Sequence, residues 1–152
     1  TLHVTGTLKN EAVHRKGRMP ETLERPLSPE ERLRKARSLV EQGSHEYQLA
    51  EEADAEHSIR RRAAVACESA FHGLIELVDV LIQRAGHRLL ENHDQRVEAL
   101  EDIGRPDLAT VYQRAKDSLH VSGYYEQRMG RLQRDRLREV ADVVDRELQK
   151  LA

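Results

Sequence analysis

At 152 residues, with 34% charged, 38% hydrophobic and only 3% aromatic side chains, the chain fits one domain around a single core and lacks the aromatic stock of a β-sheet protein. Twenty-five Lys and Arg against 27 Asp and Glu leave a net charge of −2, which excludes a global field for nucleic acid or an anionic membrane, so any such binding is local. The single Cys67 excludes an internal disulfide or a multi-cysteine zinc site.

Residues 1–27 carry Gly6, Gly17, Pro20 and Pro26 without a helical apolar period, and are expected to form an extended or flexible N-terminal arm. The helical-bundle domain then occupies 28–152. Ser28-Pro29-Glu30-Glu31 is a helix start, with Ser as N-cap, Pro at the first helical position and Glu31 placed to complete a capping box. Leu33, Ala36, Val40, Gly43, Tyr47 and Ala50 follow at three- and four-residue spacing. One long helix is the economical reading, with a break at Gly43-Ser44 as the alternative.

A second helix is predicted from about Ile59 to Arg84. Its apolar arc, from Ala63 through Phe71 and Leu77 to Ile82, covers most of the circumference and makes it the central element. Glu68, His72, Glu76, Asp79 and Gln83 fall on one stripe about 80° wide, read as a solvated or interfacial face. The alternative for that stripe is a metal site, but a bundle di-metal centre needs Glu-x-x-His on two helices, and the spacing here is Glu68-x3-His72 with no repeat. No metal and no cofactor are expected. Ala66, Ala70 and Gly73 share another face and would let a neighbouring helix come close.

Gly86 ends this helix. A short one is predicted from His93 to Ile103 and stopped by Gly104, another from Pro106 to about Val121, and a last from Tyr124 to Leu151 after an interruption at Ser122-Gly123. Met129, Leu132, Leu137, Val140, Val144, Leu148 and Leu151 are expected to face the core. The fold class is therefore all-α, a bundle with one or two additional short helices. Punctuating charges leave no apolar run of membrane-spanning length, and no secretion signal is evident, so the expected location is the cytoplasm with no membrane partner.

Two regions carry candidate chemistry. Arg131, Arg134 and Arg138 share a face of the last helix and could follow RNA phosphates, although Asp135, Glu139 and Asp142 interleave at helix-pairing distance and make intrahelical ion pairs the plainer reading. The segment from Arg114 to Tyr125 brings His120, Tyr124 and Tyr125 together around a glycine at a helix junction, the most site-like part of the chain; there the plainer reading is hydrogen bonds that close the junction.

The order of helices, the segment from Ala70 to Asp79 and the later Leu119-His120-Val121-Ser122-Gly123-Tyr124-Tyr125 resemble the HEPN superfamily of four-helix-bundle proteins, and in particular a small bacterial HEPN-like family, over about residues 29–150. The resemblance implies a homodimer, and in some members a metal-independent ribonuclease using Arg-x(4–6)-His. Carried over, the catalytic pair would be Arg114 and His120, with Arg88 and His93 satisfying the same loose pattern. On one continuous α-helix, positions 114 and 120 point about 120° apart, so that pair needs a break before His120 or assembly across a dimer. The leading expectation is a dimeric module that binds a macromolecular partner, protein or RNA. RNA cleavage by Arg114 and His120 and plain RNA binding by the arginine face are the alternatives.

Overall fold

A computed structural model describes residues 25–53, 56–88 and 90–152, so the expected arm lies, but for its last three residues, outside the described part. Helices make up the ordered structure: α1 (Pro29–Glu52), α2 (Glu56–Arg84), α3 (His93–Asp102), α4 (Pro106–Ala115), a π-helix (Lys116–Tyr125) continuous with α4, and α5 (Arg131–Leu151). No strand occurs among the described residues. The protein is an all-α bundle in which α1, α2, the α4–π rod and α5 lie antiparallel and α3 closes one side.

The start of α1 follows from its sequence. Ser28 Oγ accepts from Glu31 N at 3.1 Å while the Glu31 carboxylate accepts from Ser28 N at 3.4 Å, the reciprocal capping box. Ala36, Val40, Gly43, Tyr47 and Ala50 are all buried. The helix runs unbroken through Gly43-Ser44 because Gly43 is a packing residue. A Cβ there would stand 2.6 Å from Ala66 O and 2.9 Å from Ala70 N, and one at Gly73 would stand 2.7 Å from Ala36 O. Five small residues thus bring the α1 and α2 backbones together, and α2 is the central helix, with Phe71, Leu74, Leu77, Val78 and Val80 fully buried.

α2 and α3 end in Schellman turns at Gly86 (φ 94°) and Gly104 (φ 77°), where His87 N reaches Ile82 O and Arg105 N reaches Leu100 O. The expected interruption at Ser122-Gly123 is not there. The helix widens to π geometry after Ala115 and continues to Tyr125, and Gly123 is demanded by Cys67, whose Cβ and Sγ lie 3.0 Å from where a Gly123 Cβ would be. The chain breaks later, between Glu126 and Gly130, with Gln127 left-handed at φ 51°, so α5 starts at Arg131 and not at Tyr124.

That later start changes which side chains face inward. Leu132, expected in the core, is half exposed, whereas Gln133 is buried and donates from Nε2 to Ser118 O at 3.2 Å. Tyr47 fixes the new junction: its hydroxyl accepts from Gly130 N at 3.1 Å and donates to Gly130 O at 3.2 Å, and burial raises the phenol to about 12. At the other end of α5, Arg105 donates to both oxygens of buried Glu147, which holds that carboxyl below its ordinary range.

Candidate functional site

Three groups of the polar stripe of α2 turn to three different neighbours, while His72 and Gln83 stay exposed. Glu76 turns to α1, with Lys35 Nζ at 3.2 Å. Asp79 is buried and takes Arg96 of α3, Nε to Oδ1 at 2.8 Å and a second nitrogen to Oδ2 at 3.3 Å, while the same guanidinium donates to Leu90 O at 3.2 Å. Glu68 faces the π-helix. Periodicity along α2 could place these groups on one side but carried no information about the segments that cover them.

Glu68 is the acceptor for two imidazoles. His72, one turn on, donates from Nε2 to Oε1 at 2.8 Å, and His120 donates from Nδ1 to Oε2 at 2.8 Å and to Oε1 at 3.1 Å. An ionised carboxylate only accepts, so His120 carries its proton on Nδ1 when neutral and leaves the lone pair on Nε2.

His93 is the first residue of α3, placed there by the Asn92 N-cap whose Oδ1 accepts from Gln95 N at 2.8 Å. Its Nδ1 lies 2.6 Å from the hydroxyl of buried Tyr112 on α4. The rings of His93 and His120 stand edge to face with centroids 5.2 Å apart, and Phe71 packs on both, at 5.4 and 5.1 Å. Tyr125 covers His120 at 4.9 Å and touches Tyr124 at 5.1 Å. Tyr125 is 68% exposed, so it forms the solvent-facing edge of this cluster.

The two halves of the site differ electrostatically. Burial, then His120, Arg96 and Lys116, lower the pKa of His93, while burial raises Tyr112 to about 12. Tyr112 therefore keeps its proton near neutrality. The Tyr112 hydroxyl has no hydrogen-bond partner other than His93 Nδ1 among the described residues, so its O–H is aimed at that nitrogen.

Arg114 is placed apart from His120: its Nε donates to Glu139 Oε1 on α5 at 3.1 Å, and Arg136 joins the same carboxylate at 3.2 Å. Of the arginine face, Arg131 meets Asp135 at 3.7 Å within α5, but Arg134 reaches Glu51 of α1 at 2.7 Å, so its pairing is between helices and not intrahelical. Arg138 is exposed on the same side of α5 as Arg134. His120, Tyr124 and Tyr125 do come together. Tyr112 and Arg96 had not stood out, although a tyrosine inside the apolar stripe of Leu108, Val111 and Ala115 signals a hydroxyl that needs a partner. Comparison of the chain with protein-family models, with curated proteins and with solved structures gives no match, so the function is argued from this geometry.

Proposed function

We propose that the chain is a HEPN-like bundle protein that cleaves RNA without a metal, with His120 as its acid–base group. One observation carries the reading: an imidazole oriented by a carboxylate at Nδ1, with Nε2 free of a protein partner among the described residues, under an exposed tyrosine and beside a second imidazole. His120 Nε2 takes the proton of a ribose 2′-hydroxyl as that oxygen bonds to phosphorus. The bond from phosphorus to the 5′-oxygen breaks, and the same proton returns to the departing oxygen, leaving a 2′,3′-cyclic phosphate and a 5′-hydroxyl. Glu68 stabilises the transient imidazolium, and Tyr125 offers a face on which a base can stack. In this reading Arg114, which pairs with Glu139, takes no part.

The test is cleavage of a single-stranded RNA by purified protein. His120→Ala is expected to lower the rate by about 100-fold or more. Arg114→Ala is expected to leave it unchanged. Equal rates for wild type and His120→Ala overturn the reading.

A second reading, the homodimeric interaction module, is favoured by the exposure of Val65 (51%), Val121 (39%), Tyr124 (37%) and Tyr125 on α2 and the π-helix around this site. Another copy is the occupant the resemblance suggests. Light scattering that finds a dimer in wild type and a monomer in Tyr125→Asp supports it, and a monomeric wild type sinks it.

A further inference from the structure

We infer that His93 is a second catalytic group of this site, held by Tyr112 as the neutral Nε2–H tautomer so that it donates a hydrogen bond to a phosphoryl oxygen of the bound RNA. The inference rests on the cleavage reading for the reaction, but its geometric basis is separate. His93 and His120 are both tied at Nδ1, with opposite consequences. Glu68 can only accept, so His120 presents a lone pair at Nε2. Tyr112, a buried phenol whose hydroxyl has no other acceptor among the described residues, donates into His93 Nδ1, so His93 presents a proton at Nε2. Neither Nε2 has a protein hydrogen-bond partner among the described residues, and neither is a buried orphan, so both are open to a ligand.

An acceptor and a donor on rings 5.2 Å apart match a ribose phosphodiester, which offers a hydroxyl to be deprotonated next to an oxygen that gains negative charge as phosphorus is attacked. The neutral state of His93 is consistent with its surroundings, where partial burial and the cations Arg96 and Lys116 oppose a further positive charge. Phe71 sets the two rings side by side, and the Asp79–Arg96 pair fastens α3 to α2 behind them. Tyr112 touches no substrate and is a positioning residue.

The experiment uses the full chain and four variants: His93→Ala, His93→Gln, Tyr112→Phe and His120→Ala. The probes are a cleavable single-stranded RNA and the same sequence with a 2′-deoxy residue at the cleaved position, which binds but cannot react. Imidazole nitrogen chemical shifts give the tautomers. The expected results are an Nε2–H tautomer for His93 and Nδ1–H for His120. Probe Kd is expected to weaken about 10-fold in His93→Ala and to recover in His93→Gln, whose amide donor falls near the lost Nε2. The expected loss in kcat is about 100-fold for His93→Ala, within 10-fold of wild type for His93→Gln, and several-fold with little change in KM for Tyr112→Phe, in which His93 becomes a mixture of tautomers. An Nδ1–H tautomer or an imidazolium at His93 near neutral pH overturns the inference, as does a folded His93→Gln no better than His93→Ala. A probe bound through His93 but never cleaved sinks the cleavage reading alone; cleavage indifferent to His93 sinks this inference alone; no binding at all sinks both.

Discussion

Replacing Arg96 with Met tests what holds α3, and with it His93, against the bundle. The change removes two hydrogen bonds to Asp79, at 2.8 and 3.3 Å, and one to Leu90 O at 3.2 Å. The side chain of Asp79 is 9% exposed, so water cannot take over as its partner. Leaving one member of such a pair without the other costs about 3–5 kcal/mol, a large part of the roughly 5–15 kcal/mol by which a domain is stable. For a chain of this length each kcal/mol moves Tm by about 2–4 °C, so a fall of about 10 °C is expected. The penalty belongs to the stranded carboxylate and not to a strong net attraction. The double variant Asp79→Leu with Arg96→Met should therefore return to within about 1 kcal/mol of wild type. Urea unfolding followed by circular dichroism measures all three proteins. An Arg96→Met loss below about 1 kcal/mol, or a double variant as unstable as the single one, refutes the reasoning.

Gly43→Ala gains up to about 1 kcal/mol of helix propensity, but its methyl would lie 2.6 Å from Ala66 O, and parting two packed backbones costs about 1–3 kcal/mol; a net loss in urea unfolding is expected, and a gain refutes the close approach of α1 and α2. Cys67 is fully buried and burial raises its thiol to about 12, so alkylation by iodoacetamide should be at least about 100-fold slower in the native protein than in urea, and comparable rates would contradict its packing against Gly123. Because the folded pKa of His93 lies below its unfolded value of about 6.5, the unfolded chain takes up a proton there first as pH falls; stability contributed above that value is lost below it. His93→Gln should accordingly flatten the stability profile between about pH 7 and pH 5, and an unchanged slope shows that the imidazole titrates normally.

Much of the architecture was written in local chemistry. The capping box at Ser28 and the glycines after α2 and α3 are signals that act within one turn, and the inward positions of α1 follow from spacing alone. What local chemistry does not record is the object on the other side of a residue. Gly43 and Gly123 have the composition of breaks, yet one meets the backbone of α2 and the other the side chain of Cys67. Ser122-Gly123 has the composition of a stop and so predicts too early a start for α5, and Leu132, apolar but half exposed, and Gln133, polar but buried, reverse what their side chains suggest. The same limit governs the site. His120 and the tyrosine pair are adjacent in sequence and could be singled out, whereas Glu68 reaches His120 across 52 positions and Tyr112 reaches His93 across 19, distances over which no periodicity speaks.

The helix from Lys116 to Tyr125 holds i to i+5 hydrogen bonds for ten residues, far beyond the single turn in which this geometry is usually found. Each widened turn accommodates more chain than an α turn, so the helix stores surplus residues at the place where His120 meets Glu68. Deleting one residue from this stretch would tighten the coil and rotate His120 off its carboxylate, so the contact with Glu68 depends on the full length of the widened stretch.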